Sequence, residues 1–181
     1  MWAIVATGCL ITLGFILGAP LALQSGHSFL ALAIYRTFSY LCHQIPERSF
    51  FIAGRPFAVC SRCFGLYSGF ATAAVLYPLL RSLRSTVTPS RKWLFLAAAP
   101  MAIDFSIEFF GLGHNTHFSR FATGALLGSV AVLFVMPGLL DLALRDWSGK
   151  MQPESVGAAS EQFPDSFPAA PSDYSAPHRR I

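Results

Sequence analysis

The sequence predicts an all-α membrane protein: a four-helix transmembrane bundle with one interfacial helix and a loop that carries cysteine and histidine. Three observations support this class. Of the 181 residues, 54% are hydrophobic and only 12% are charged, whereas soluble domains carry about 25% charged residues. Four stretches are apolar over about the 20 residues that a helix needs to cross the hydrocarbon core. Three of the four cysteines lie close together between the first two stretches.

The first predicted span covers about residues 2–23, which contain no charged residue. A cleaved signal peptide is the alternative, but no basic segment precedes this run and no small-residue cleavage site follows it. The next apolar stretch, Phe29 to Tyr40, includes Arg36 and is too short to span the bilayer. We therefore expect it to lie in the membrane interface and to lead into the cysteine loop.

The other predicted spans cover about residues 63–80, 93–112 and 121–144. Glycines four residues apart, Gly65 with Gly69 and Gly124 with Gly128, have the spacing that lets helices approach closely in lipid. Residues 1–147 thus form the predicted membrane domain. Residues 148–181 are rich in Pro, Ser, Ala and Gly and lack apolar periodicity, which predicts a disordered tail.

Charge indicates orientation and excludes some partners. The short loop after the second span carries Arg81, Arg84, Arg91 and Lys92, which favours the cytoplasm for this loop and for both termini. The cysteine loop then faces the opposite side, although several arginines on that face weigh against this assignment.

The net charge of +4 forms no basic stripe, so no nucleic-acid partner is predicted. No Gly-rich phosphate loop is present, so no nucleotide is predicted either.

The cysteine region is the principal candidate site. Cys60 and Cys63 have C-x-x-C spacing, and Cys42 and His43 precede them in a loop. This set predicts a zinc site with Cys42, Cys60 and Cys63 as ligands. His43 is the predicted fourth ligand, but neighbouring residues seldom bind one tetrahedral ion, so the alternatives are His114, His117 or a water molecule. Thiol redox chemistry and plain interfacial packing are the competing interpretations.

Two carboxylates in the third predicted span form a second candidate site. Asp104 and Glu108 lie one helical turn apart, and charges in a membrane helix are expensive and therefore usually functional or paired. With Asn115 and Arg120 they are candidate catalytic groups at the floor of a cavity, where Arg120 can hold an anionic head group. The alternative is that arginines neutralise both carboxylates and only fix helix packing.

The chain resembles a known family through Cys42-His43-Gln44, Arg48-Ser49 and Cys60-x-Arg62-Cys63-x-Gly65. These motifs, C-H-Q-x-P-x-R-S and C-x-R-C-x-G, are similar to those of the prokaryotic membrane proteins grouped as domain of unknown function 2085. The resemblance covers about residues 35 to 130. It implies a multipass helical protein of a prokaryotic cytoplasmic membrane and no particular activity.

Three functions are compatible with these residues. The leading hypothesis is a zinc-dependent membrane protein that handles a lipid-linked or other anionic amphiphile, either as an enzyme or as a binding protein. The second is a thiol oxidoreductase linked to a membrane quinone, which the low thiolate pKa expected at a helix N-terminus would support. The third is a transporter or accessory subunit in which zinc is structural.

We expect residues after about Lys150 to be dispensable for folding, because their composition buries too little apolar surface to offset the entropy of ordering them. Deleting them should leave the thermal melting temperature in detergent unchanged. A marked drop in melting temperature would show that the tail docks on the bundle.

Overall fold

A computed structural model describes residues 1–82 and 87–150, with side chains up to residue 143. This part of the chain contains five α-helices, namely α1 (Trp2–Gln24), α2 (Ser28–Ser39), α3 (Ser61–Leu80), α4 (Lys92–Phe109) and α5 (His117–Lys150). The chain divides into two compact units, Met1–Leu144 and Arg145–Ile181, and the account below concerns the first. Arg84 of the basic loop lies outside the described residues, as does the predicted tail from residue 151 onward.

Three helices in the described part of the chain are long and apolar enough to cross a membrane: Trp2–Gln24, Ser61–Leu80 and His117–Ala143. They agree with the first, second and fourth predicted spans. The third predicted span corresponds to α4, whose 18 residues include Lys92, Asp104 and Glu108. With three charged residues in 18, α4 has no equally apolar stretch of that length, and a fourth crossing stays a prediction.

Local hydrogen bonding determines where α4 ends and where α5 begins. The third predicted span extends to about residue 112, and α4 ends at Phe109, because Gly111 has a φ of 69°. The N–H groups of Gly111 and Leu112 then bond the Glu108 and Ile107 carbonyls, which is the arrangement of a Schellman cap. Helix α5 begins at 117 instead of 121, because the Thr116 hydroxyl accepts the Ser119 N–H at 3.0 Å.

Helices α3 and α5 meet through the two predicted glycine pairs. A Cβ atom on Gly65 would lie 2.1 Å from the backbone oxygen of Phe121, and one on Gly124 would lie 2.3 Å from that of Arg62. Gly69 and Gly128 face backbone oxygens of the opposite helix at similarly short distances. The missing side chains therefore let the two backbones touch, as the spacing predicted.

Helix α1 packs against α2 and α3. The Trp2 indole N–H donates to the Ala74 carbonyl at 2.7 Å, so the start of α1 lies beside the later part of α3. Near the other end of α1, Ile16 and Ala19 pack with Cys42, Phe57 and Val59 in a buried cluster. The antiparallel arrangement thus places the cysteine region at the end of the bundle where α1 finishes and α3 begins.

The segment between α2 and α3 folds back on itself, as expected, but more regularly than the sequence indicated. A 3₁₀ turn at Pro46–Arg48 is followed by a two-stranded antiparallel hairpin, β1 (Phe51–Ile52) and β2 (Arg55–Pro56). The hairpin turn places Ala53 and Gly54 at φ values of 52° and 73°, which is the backbone shape that matches strand twist in a two-residue turn. This hairpin was not predicted, because its strands have only two residues each.

We predict that Gly65→Ala destabilises the protein, because its methyl group would overlap a backbone oxygen that cannot move alone; overpacking of this kind costs about 1–3 kcal/mol. Gly14→Ala is the matched control, since a Cβ there meets nothing within 4 Å. Thermal melting in detergent should fall for the first variant only. Equal melting temperatures would contradict the close contact between α3 and α5.

Candidate metal centre and cavity

Three cysteine sulfurs converge at the N-terminus of α3. The Sγ atoms of Cys42, Cys60 and Cys63 all lie within 4.8 Å of one another, and Cys42 is buried while the other two are half-buried. Cys60 is the N-cap of α3, and Cys63 lies one turn further along the helix. The backbone N–H of Cys60 donates to the Cys42 sulfur at 3.3 Å, which holds the loop cysteine against the helix start. All four cysteines are free thiols.

The surroundings of Cys60 favour its thiolate form. Hydrogen bonds from the Cys42 side chain, and then from the Cys63 side chain, hold the pKa of Cys60 well below its usual value. The first-turn backbone N–H groups of α3 add to this effect, while burial opposes it. A cluster of this kind can supply a nucleophilic sulfur or a ligand for a soft metal ion at neutral pH.

Hydrogen bonds to backbone atoms hold the loop in place around the sulfurs. The Gln44 amide donates to the carbonyls of Tyr35 and Ala58, both at 2.7 Å, so that one side chain joins α2 to the segment entering α3. Gln44 itself has a φ of 51°, an uncommon conformation for a residue other than glycine. The fully buried Ser61 hydroxyl donates to the Arg48 carbonyl at 2.8 Å. These bonds hold the loop so that Cys42 lies beside the N-terminus of α3.

A cavity of about 390 Å³ opens beside the sulfurs. Its polar lining includes all three cysteines and three arginines, Arg48, Arg62 and Arg120. An apolar wall faces them and includes Leu66 of α3 together with Met101 and Phe105 of α4. No carboxylate of the described residues lines this cavity, so its charged lining is cationic apart from the thiols.

The two predicted carboxylates lie behind the arginines. Asp104 Oδ2 accepts a hydrogen bond from Arg62 at 2.6 Å, and both side chains are largely buried. Glu108 Oε1 is shared by Arg48 at 2.8 Å and Arg120 at 2.7 Å. The structure therefore agrees with the ion-pair alternative for Asp104 and Glu108. Neither carboxylate lies at the floor of the cavity.

The remaining predicted site residues fall into two groups. Asn115 does not line the cavity; its side-chain amide donates to the backbone oxygen of Asp104 and so ties the turn after α4 to that helix. Arg120 does line the cavity. Of the predicted fourth ligands, His43 borders the cavity with an exposed side chain, while His114 and His117 are exposed and outside its lining. None of these histidines joins the cysteine group among the described residues.

Sequence reasoning missed Met101 and Phe105 as cavity residues. The sequence did not single out Met101 and Phe105, because every turn of α4 carries apolar residues. The signal that was available is their spacing: Met101, Asp104, Phe105 and Glu108 follow an i, i+3, i+4, i+7 pattern and so share one helix face.

Comparison with known proteins finds a family of predicted membrane proteins. Residues 42–134 match a family model described as a predicted membrane protein of domain of unknown function 2085. An uncharacterized protein of Methanocaldococcus jannaschii is 38% identical over 109 residues, which cover 60% of this chain and 70% of that protein. An uncharacterized protein of Methanothermobacter thermautotrophicus is 38% identical over 97 residues, covering 53% and 86% respectively. No solved structure matches the chain.

The matched region begins at Cys42 and includes the three clustered cysteines, the three cavity arginines and both carboxylates. The family resemblance suggested by the sequence motifs is therefore confirmed, and the chain belongs to the membrane protein family of domain of unknown function 2085.

Proposed function

We propose that the protein is a zinc-binding membrane protein whose metal site opens on a cavity for an anionic amphiphile. The observation that carries this proposal is the convergence of the Cys42, Cys60 and Cys63 sulfurs within 4.8 Å at the edge of that cavity. Three thiolates at this separation are a suitable ligand set for Zn²⁺, which binds sulfur at about 2.3 Å in tetrahedral sites. Among the residues that the structure describes, these three are the protein ligands gathered there, so the fourth position is available to another ligand.

The charges of the site are compatible with a divalent ion. In the neighbouring network the guanidinium groups of Arg48, Arg62 and Arg120 oppose the carboxylates of Asp104 and Glu108, which leaves one surplus positive charge. A zinc ion with three thiolates carries one net negative charge, so binding zinc would leave no uncompensated charge in the two groups together.

The fourth ligand is a further part of the proposal. His43 borders the cavity and stays a predicted ligand, with a water molecule as the alternative. A water in this position would be displaceable by substrate, which would be the arrangement of a catalytic site, whereas a histidine would close the coordination as in structural sites. Retention of zinc by His43→Gln would favour the water.

The membrane arrangement that accompanies this function is also proposed. Helix α4 would be the fourth span of a helical domain over residues 1–147, and α2 would be the interfacial helix, because Phe29 and Leu32 are exposed. The basic loop and both termini would lie in the cytoplasm, with residues 148–181 as a tail. The cysteine face would then open on the opposite side of the membrane.

Within this function, Asp104 and Glu108 act by orienting the cavity arginines and not as acid–base groups. Asp104 is 8% exposed and Arg120 is 7% exposed, so each ion pair on these residues replaces solvent that would otherwise stabilise the charges. A carboxylate that holds one side of a guanidinium fixes the direction of its remaining N–H donors. We propose this positioning role for the two residues, and the catalytic role predicted from the sequence is the alternative.

Elemental analysis of the detergent-purified protein should find about one zinc per chain. Cys60→Ser should abolish zinc binding and lower the folded yield, because it removes a central ligand at the start of α3. Cys9→Ser is the matched control and should do neither, since Cys9 lies in α1 outside the cluster. A protein without transition metal whose Cys60 and Cys63 form a disulfide would instead support the thiol oxidoreductase alternative.

Asp104→Asn should destabilise the protein by roughly 3–5 kcal/mol, because the charge of Arg62 is left buried without its partner. Glu47→Gln is the matched control, since Glu47 is exposed. Thermal melting at neutral pH should fall sharply for the first variant and stay constant for the second. Adding Arg62→Gln to Asp104→Asn should recover part of the loss, because it removes the stranded charge. Near-equal melting of wild type and Asp104→Asn would contradict a positioning role.

A further inference from the structure

The cavity beside the thiols is lined by both arginines and apolar side chains. Its arginines are Arg48, Arg62 and Arg120, and its apolar wall is formed by Leu66, Met101 and Phe105. The two sets meet where the Arg62 guanidinium lies 5.8 Å from the centroid of the Phe105 ring. We propose that it binds a membrane amphiphile, with an oxyanion head group held by Arg62 and Arg120 and an apolar tail lying between α3 and α4. This rests on the proposed function only in taking the cavity as the substrate site.

The head-group end is preorganised for an oxyanion. Arg62 bonds Asp104 and Arg120 bonds Glu108 through one terminal nitrogen each, and both carboxylates lie outside the cavity lining. A guanidinium carries five N–H donors in a planar fork that fits carboxylate or phosphate oxygens. Because the carboxylates already hold the two guanidinium groups in place, the arginines lose less side-chain entropy when a ligand binds.

The apolar end leads towards the surface that a bilayer would cover. Phe105 is 51% exposed although it lines the cavity, so the apolar wall continues out of the cavity along α4. Helix α4 buries only Ala97 and Asp104 among its residues, which makes it the least enclosed of the long helices. A tail can therefore lie against Met101 and Phe105 and leave the protein between the helices, as a lipid requires.

The combination of arginines and an apolar wall indicates which class of ligand the cavity binds. A small water-soluble anion would contact the arginines but not the apolar surface of Leu66, Met101 and Phe105. A neutral lipid would contact that surface but would leave the cavity arginines without an anionic ligand. A cavity of about 390 Å³ is within the usual size range of small-molecule sites. An anionic amphiphile from the bilayer is the ligand class that uses both ends.

The test uses purified protein of known zinc content in a neutral detergent. The protein is titrated separately with dodecyl phosphate, inorganic phosphate and dodecanol, and its thermal melting temperature is measured. A ligand that binds only the folded state raises the melting temperature in a saturable manner. Dodecyl phosphate should stabilise at a concentration at least about tenfold below that of inorganic phosphate, corresponding to about 1.4 kcal/mol of added apolar contact. Dodecanol should produce no saturable shift.

Variants separate the two ends of the site. Arg62→Lys keeps the charge beside Asp104 but loses the planar fork, and it should weaken dodecyl phosphate binding about tenfold or more. Met101→Trp fills the apolar end from a half-buried position, and it should weaken dodecyl phosphate binding while leaving the response to inorganic phosphate unchanged. Arg55→Gln is the matched control, because Arg55 is exposed on the hairpin outside the cavity.

Three outcomes would overturn the inference. Equal stabilisation by dodecyl phosphate and inorganic phosphate would mean a site for a free anion. Equal stabilisation by dodecyl phosphate and dodecanol would mean an apolar groove alone. An effect of Arg55→Gln as large as that of Arg62→Lys would mean general attraction to a basic surface. Zinc content distinguishes the zinc proposal from the amphiphile proposal. If protein purified without zinc binds dodecyl phosphate, the zinc proposal fails and this inference stands. If protein that contains zinc does not bind dodecyl phosphate, this inference fails and the zinc site stands.

Discussion

The contact between α3 and α5 determines where the charged groups of the site can lie. Gly65, Gly69, Gly124 and Gly128 allow the two backbones to touch, and this contact runs along the turns that also carry Arg62, Cys63 and Arg120. In a membrane the hydrophobic effect does not drive helices together, so such close packing is a main source of their association. A methyl group at one of these glycines would separate the helices and with them Arg62 and Arg120. The geometry of the cavity therefore depends on having glycine, with no side chain, at these four positions.

Helix α4 is held in a different way. It contributes no glycine contact of this kind and buries few residues, but its Asp104 and Glu108 bond arginines from α3, from α5 and from the 3₁₀ turn. Ion pairs of this kind are directional, and they are strong only where water is excluded. The result is a helix whose position relative to the cavity is determined at one end by charge, while most of its remaining surface stays exposed. This division would suit the proposed membrane ligand, because α4 forms one wall of the cavity.

The thiol cluster and the arginine network are adjacent and complementary in charge. Repulsion disfavours three neighbouring thiolates, because their sulfurs lie within 4.8 Å of one another. A divalent metal ion would stabilise all three sulfurs as thiolates. Hydrogen bonds to backbone atoms hold the loop from Cys42 to Val59, because Gln44 donates to the Ala58 carbonyl and Ser61 to the Arg48 carbonyl. A loop held in this way loses less entropy when a metal or a substrate binds.

The sequence by itself determined the helical class, three of the spans, the glycine contacts and the three cysteines that converge. These features depend on local composition and on short spacings, which a single chain displays directly: a run without charges must be a helix in lipid, and glycines four apart share one face. Tertiary structure alone decided that the carboxylates pair with Arg62 and Arg120, that His43 stays exposed, and that Met101 and Phe105 complete the cavity. Which arginine meets which carboxylate depends on the register between helices far apart in the chain. That register is set by the packing of whole helix surfaces, and no spacing within one segment records it.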